Sequence, residues 1–175
     1  MTVLFFLAAA VAVVSSLLVV TRRSAVHALL YLVTSLLAVA LVFFLLGAPF
    51  AAALEIIIYA GAIMFLFIFV VMVLGIDEKR PAARSLWTVA RAWAGPAVMA
   101  LILLAELGLV WLKGELSSAA PAWIPPRAVG VSLFSTYALG VELVAVLLLA
   151  AAVGAFHLGR KPKEPARYGN EGGRP

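Results

Sequence analysis

The sequence predicts an all-α integral membrane protein with five transmembrane helices, N-terminus outside and C-terminus cytoplasmic, and three observations lead there. Of 175 residues, 66% are hydrophobic and 12% charged, with a mean hydropathy of +1.17, whereas a soluble domain carries about 25% charged residues. Five apolar runs, at residues 3–20, 28–46, 51–74, 96–112 and 138–156, each approach the ~20 residues a helix needs to cross a hydrocarbon core of about 30 Å. The basic residues between and after these runs fall unequally on the two sides. Arg22, Arg23, Lys79, Arg80, Arg84, Arg91, Arg160, Lys161, Lys163, Arg167 and Arg174 lie on one side, eleven against Lys113 and Arg127 on the other. Positive charge is retained on the cytoplasmic side, which sets the orientation. Residues 1–158 thus read as one five-helix membrane domain and 159–175 as a polar cytoplasmic tail.

The first run is interrupted only by Ser15 and Ser16, whose hydroxyls can bond back to the backbone or to a neighbour. A cleaved signal peptide would carry Lys or Arg before its apolar run. Here Arg22 and Arg23 follow it, so a retained helix is expected. The second run places Tyr31, Thr34 and Ser35 at helical spacings suited to a helix contact. Gly47-Ala48-Pro49 ends it, and so short a turn folds spans two and three into an antiparallel hairpin. The basic loop after the third span is bounded by Trp87 and Trp93, which suit an interfacial belt. Span four starts near Pro96, a residue tolerated in a first helical turn. Residues 114–130 read as a Pro-rich connection along the surface, with Pro121, Trp123, Pro125 and Pro126. Residues 131–137 then lead into span five.

The third run is the most informative, because Glu55 and Tyr59 interrupt it four residues apart and so share one face of an α-helix. Lipid disfavours such a face, and a neighbouring helix or a water-filled gap accommodates it. Ala60-Gly61-Ala62 follows, where another backbone can approach closely and the helix is least constrained by side chains. Glu55, Glu106 and Glu142 all fall in the outer halves of their spans in the predicted orientation, which suggests a common layer. A carboxyl group there must be protonated, paired or hydrated, and an acid that exchanges its proton near neutral pH is what a proton relay requires. Glu55, Tyr59 and Glu142 are read as a polar pathway. Glu106, close to its span's end, is also a candidate but reads first as a group reaching headgroups or bonding another helix. His27 and His157 fall at inner helix ends, suited to interfacial anchoring.

The absence of Cys removes the thiolates that iron–sulfur clusters and Cys-type zinc sites use, so none of these is expected in this chain. The net charge of +5 is accounted for by topology, without nucleic acid. No phosphate-binding loop, HExxH, nucleophile elbow or dinucleotide fingerprint is present, so no catalytic residue is assigned.

The stretch Glu55-Ile56-Ile57-Ile58-Tyr59-Ala60-Gly61-Ala62-Ile63-Met64 resembles the third-helix signature of subunit J of proton-pumping NADH-quinone oxidoreductase, respiratory complex I, whose mitochondrial counterpart is NADH dehydrogenase subunit 6. Val26-His27-Ala28-Leu29-Leu30-Tyr31-Leu32, Ala128-Val129-Gly130-Val131-Ser132-Leu133-Phe134, Val141-Glu142-Leu143 and Ala155-Phe156-His157 are similar to the bacterial members as well. The resemblance covers residues 22–76 and 128–160, while span one, span four and the tail are generic.

The resemblance implies a five-helix subunit of the membrane arm in a bacterial inner membrane, packed against subunits A, H, K and N and the lipid bilayer. It implies a chain without a redox centre, with FMN, iron–sulfur clusters and quinone held elsewhere in the complex. It also implies a π-bulge near the Tyr-x-Gly element that can convert to regular helix. On this chain the switch segment would be Tyr59, Ala60, Gly61, Ala62, Ile63, Met64, Phe65, Leu66 and Phe67. A subunit of a related cation/proton antiporter or membrane hydrogenase complex is the alternative. A self-sufficient transporter would show internal repeats or paired broken helices, and the sequence has neither.

Overall fold

The computed structural model describes residues 2–22, 24–75, 86–112 and 124–160, with the backbone alone for 86–92. The basic loop before residue 86, the side chains of Trp87 and Arg91, most of the Pro-rich connection and the tail beyond residue 160 lie outside the described residues. Among the described residues the chain is all-helical, with five helices long and apolar enough to cross a membrane. It divides into two compact units, Met1–Pro126 and Arg127–Pro175.

In the first unit α1 (Thr2–Thr21) and α2 (Ala25–Leu45) form an antiparallel pair. The third apolar stretch is built from α3 (Pro49–Leu54), a π-helical segment (Glu55–Ile63) and α4 (Met64–Val73), and α5 (Leu86–Leu112) follows. Each of these packs on α2, which is the hub of the unit, while α5 also touches α1. The core lies between α1, α2 and α5, where Ala8, Val11, Ala38, Leu41 and Leu103 meet. In lipid the apolar side chains gain little by leaving one another for the bilayer, so close packing and hydrogen bonding decide which helices associate. Small residues at Ala8, Ser15, Ser35 and Ala38 let α1 and α2 approach, and the Ser35 hydroxyl donates to the Ala12 carbonyl at 2.9 Å. Tyr31, Thr34 and Ser35 are all buried, as their spacing implies.

The α2 to α3 hairpin turns at Gly47, whose φ of 83° lies in the left-handed region where a Cβ is disfavoured. Gly47 and Ala48 donate their N–H groups back to Phe44 and Phe43 at 3.1 and 3.0 Å, which satisfies carbonyls at the end of α2. Pro49 then opens α3 at a position where its missing N–H costs nothing. The Ile124 N–H donates to the Gly47 carbonyl at 3.2 Å and fixes that end of the Pro-rich connection beside the hairpin.

Two expectations along the chain are corrected. Pro96 is inside α5, which begins ten residues earlier at Leu86; the uncharged part of the helix follows Arg91, so the proline falls near the beginning of the membrane-crossing portion only. The hydrogen bond it removes, to the Ala92 carbonyl, is thereby lost where the helix enters the apolar run. Residues 126–134, read as the end of a connection and a lead-in, form a helix of their own, α6 (Pro126–Phe134). Pro126 takes the first helical position, so the proline that suggested a break is a helix start. In the second unit a turn closed by the Tyr137 N–H and the Ser132 carbonyl at 3.0 Å separates α6 from α7 (Ala138–Gly159), which carries no buried residue.

At the other end of α2 the Tyr31 hydroxyl accepts from Arg22 Nη2 at 3.4 Å, and the guanidinium lies 5.0 Å from the Tyr31 ring centroid. The same hydroxyl fills the space beside Gly95, where a built Cβ would overlap it and approach the ring carbon Cζ to 3.0 Å. Gly95→Ala is therefore expected to lower subunit stability in the membrane by about 1 to 3 kcal/mol, the usual range for overpacking. Adding Tyr31→Phe should restore part of it. Thermal melting of the assembled protein checks this, and equal stability of wild type and Gly95→Ala would contradict it.

Candidate functional site

The third span departs from an α-helix over nine residues, Glu55–Ile63. Its hydrogen bonds run from i to i+5, and the Met64 N–H still reaches back to Tyr59 at the C-terminal end. The local sequence favours this. Ile56, Ile57 and Ile58 are β-branched and crowd the preceding turn of a regular helix, and Ala60, Gly61 and Ala62 add little side-chain packing to hold one. The π segment overlaps the anticipated switch residues Tyr59, Ala60, Gly61, Ala62 and Ile63. It begins four residues earlier, and Met64, Phe65, Leu66 and Phe67 are ordinary α-helix.

The wider turn keeps Glu55 and Tyr59 on one side of the helix, because a spacing of four residues falls short of a π-helical turn by about as much as it exceeds an α-helical one. Glu55 is half-buried, Tyr59 is 50% exposed, and no residue of the π segment is buried by this chain. Neither side chain hydrogen-bonds to a described residue. Their polar face is open to whatever covers it.

Gly61 is exposed, and no other helix among the described residues comes within 4 Å of a Cβ built there, which would meet the Ile56 carbonyl oxygen at 3.2 Å. That oxygen is five residues back, the acceptor π-helical bonding assigns to the Gly61 N–H. The missing side chain thus makes room for the helix's own widened turn.

The three carboxyl groups have three different environments. Glu55 is half-buried at the start of the π segment, and Glu142 is exposed on α7 in the second unit. Glu106 is 2% exposed on the inner face of α5, between Leu103 and Val110, and both of its carboxyl oxygens lack a hydrogen-bond partner. The expectation that Glu106 reaches headgroups is corrected. The core-facing positions of α5 recur every three or four residues at Met99, Leu103, Glu106 and Val110, and Glu106 occupies one of them.

His27 is the second polar group with an unsatisfied buried atom on a functional candidate. Its Nδ1 is 3.0 Å from Ser24 Oγ, its ring meets Trp93 edge-on at 6.4 Å, and Nε2 has no partner. Beside it, Val26, Leu30, Ile68, Met72 and Trp93 line an apolar groove of about 490 Å³. His157 is exposed in the last turn of α7. The sequence offered no signal for the Arg22, Tyr31 and Gly95 contact, since it depends on how α5 seats against α2.

These features define a chain of the polytopic membrane class, all-helical over its described residues, with carboxyl groups inside apolar helices and a π-helical third span. The chain belongs to the family of chain 6 of NADH-ubiquinone/plastoquinone oxidoreductase, whose family model matches residues 15–158. It is 52% identical over 159 residues to the NADH-quinone oxidoreductase subunit J of Pseudomonas aeruginosa, covering 90% of this chain and 95% of that protein. To the subunit J of Escherichia coli strain K12 it is 45% identical, covering 91% and 86%, and to that of Rhodobacter capsulatus 38%, covering 88% and 79%.

Proposed function

We propose that this chain is a membrane-arm subunit of a bacterial NADH-quinone oxidoreductase in the inner membrane, coupling quinone reduction to proton translocation through its third span. The observation that carries this reading is the π-helical segment Glu55–Ile63, which bears Glu55 and Tyr59 within an apolar run. Two registers of one helix differ little in energy, and changing register moves every side chain beyond the change relative to its neighbours. A span that alternates between π-helical and regular forms can therefore connect and interrupt a chain of polar groups without a large rearrangement. Glu55, Tyr59 and Glu142 supply this chain's part of that pathway, their uncovered polar groups meeting partner subunits, with A, H, K and N as the neighbours. The chain has no redox centre of its own, in keeping with a sequence that contains no Cys, and FMN, iron–sulfur clusters and quinone belong to other subunits.

Purification from native membranes tests the assignment. The chain should emerge with flavin- and iron–sulfur-bearing partners that oxidise NADH and reduce quinone. Emergence alone, or with antiporter or hydrogenase subunits, would overturn it.

The N-out, C-in orientation belongs to the same proposal and rests on the eleven-to-two division of basic residues. The absence of Cys allows single-Cys labelling with a membrane-impermeant reagent. Cys at Ala48 and Ala119 should react from outside and Cys at Ala83 and Ala166 from inside. The opposite pattern would reverse the orientation.

A further inference from the structure

We infer that Glu106 is a buried proton-binding site of this chain, a carboxylic acid held neutral between α1, α2 and α5 and able to release its proton, distinct from the polar face of the third span. The geometry leaves an ionised carboxylate no compensation. Glu106 is 2% exposed, and neither oxygen receives a hydrogen bond. Among the described residues, the helices packed on α5 supply no counter-charge. α1 has no titratable side chain, and those of α2 are His27 and Tyr31. Tyr31 lies against Gly95, eleven residues before Glu106 and so about 16 Å away along α5. Its other neighbours on that face are apolar: Leu103 one turn before and Val110 one turn after.

A buried charge without donors is far costlier than the neutral acid, whose O–H can donate to a backbone carbonyl of its own helix or to an internal water. Leu, Val or Ala at this core position would satisfy the packing with no polar group. A carboxyl group therefore contributes a proton site rather than adhesion, and its ligand is the proton itself. The inference uses the proposed role in a proton-translocating complex as context, but protonation is measurable whether or not the complex pumps.

The test uses the intact complex and dicyclohexylcarbodiimide, an apolar reagent that reacts with a protonated carboxyl group and not with a carboxylate. The acid's proton passes to one reagent nitrogen, its oxygen bonds to the central carbon, and the adduct rearranges to a stable N-acylurea found by peptide mass spectrometry. The Glu106 peptide should carry the mark, falling at least about tenfold between about pH 6 and pH 9 as the reactive acid is titrated. Glu106→Gln should assemble in wild-type amounts and lose the mark, because Gln reproduces the neutral acid's volume and polarity. A mark independent of pH would make Glu106 a permanently protonated packing residue and overturn the inference. No mark at any pH, or loss of assembly in Glu106→Gln, would also overturn it, the latter by showing an ion pair with a cation from elsewhere. All three results leave the assignment to an NADH-quinone oxidoreductase standing, since purification tests that separately.

Discussion

Gly61→Val should leave the complex assembled while slowing quinone reduction or proton pumping and altering the lag between resting and active forms. A Cβ at this position would lie 3.2 Å from the Ile56 carbonyl oxygen, closer than most Cβ contacts allow, and a β-branched side chain also restricts the surrounding backbone. In a regular α-helix a β-branched residue also pays for crowding the preceding turn, but by no more than about 0.7 kcal/mol relative to alanine, less than the cost of overpacking. Valine therefore disfavours the π-helical form relative to the regular one. A bias of about 1 to 3 kcal/mol, the usual scale of overpacking, changes a two-state ratio by about fivefold to more than a hundredfold. Because Gly61 is exposed within this chain, the substitution does not disturb the α1, α2 and α5 core on which folding depends. Ala53→Val, in the α-helical part of the same span, is the control and should have much less effect. Equal effects of both substitutions on turnover and lag, or loss of the subunit from the membrane in both, would remove the case for a switch.

The double substitution Glu55→Gln with Glu142→Gln should reduce proton pumping coupled to quinone reduction by about tenfold or more, each single substitution having a smaller effect. Glutamine keeps the volume and the hydrogen-bonding capacity of the acid but cannot exchange a proton, so a relay is broken while packing is preserved. Neither residue is buried by this chain, and neither hydrogen-bonds to a described residue, so the subunit's own fold has little to lose. Assembly, measured on native gels, should be that of the wild type. Full turnover with normal pumping in the double variant would make both acids structural.

Taken alone, the sequence determined those properties of this protein that are local. The five spans follow from apolar runs matched to the thickness of a bilayer, and their observed bounds, such as Ala25–Leu45 and Ala138–Gly159, lie within about three residues of the expected ones at most ends. The hairpin joining spans two and three follows from Gly47-Ala48-Pro49, because a turn of that length leaves no other arrangement. Family membership was legible for the same reason: the Glu55 to Met64 signature is contiguous.

Tertiary structure decided which way each helix faces. A soluble helix announces its buried side by a hydrophobic stripe, whereas a membrane helix is apolar all round, so Glu106 could not be placed on the core face of α5 from its neighbours in sequence. The same physics hid the position of α2 as hub and the wedge of Tyr31 against Gly95, both set by how small residues let helices seat together. The π segment was only half legible. The β-branched run and the small residues after it weaken a regular helix, but where the widened turns begin depends on the balance of successive backbone hydrogen bonds along the nine-residue segment in the folded span, which no single residue encodes.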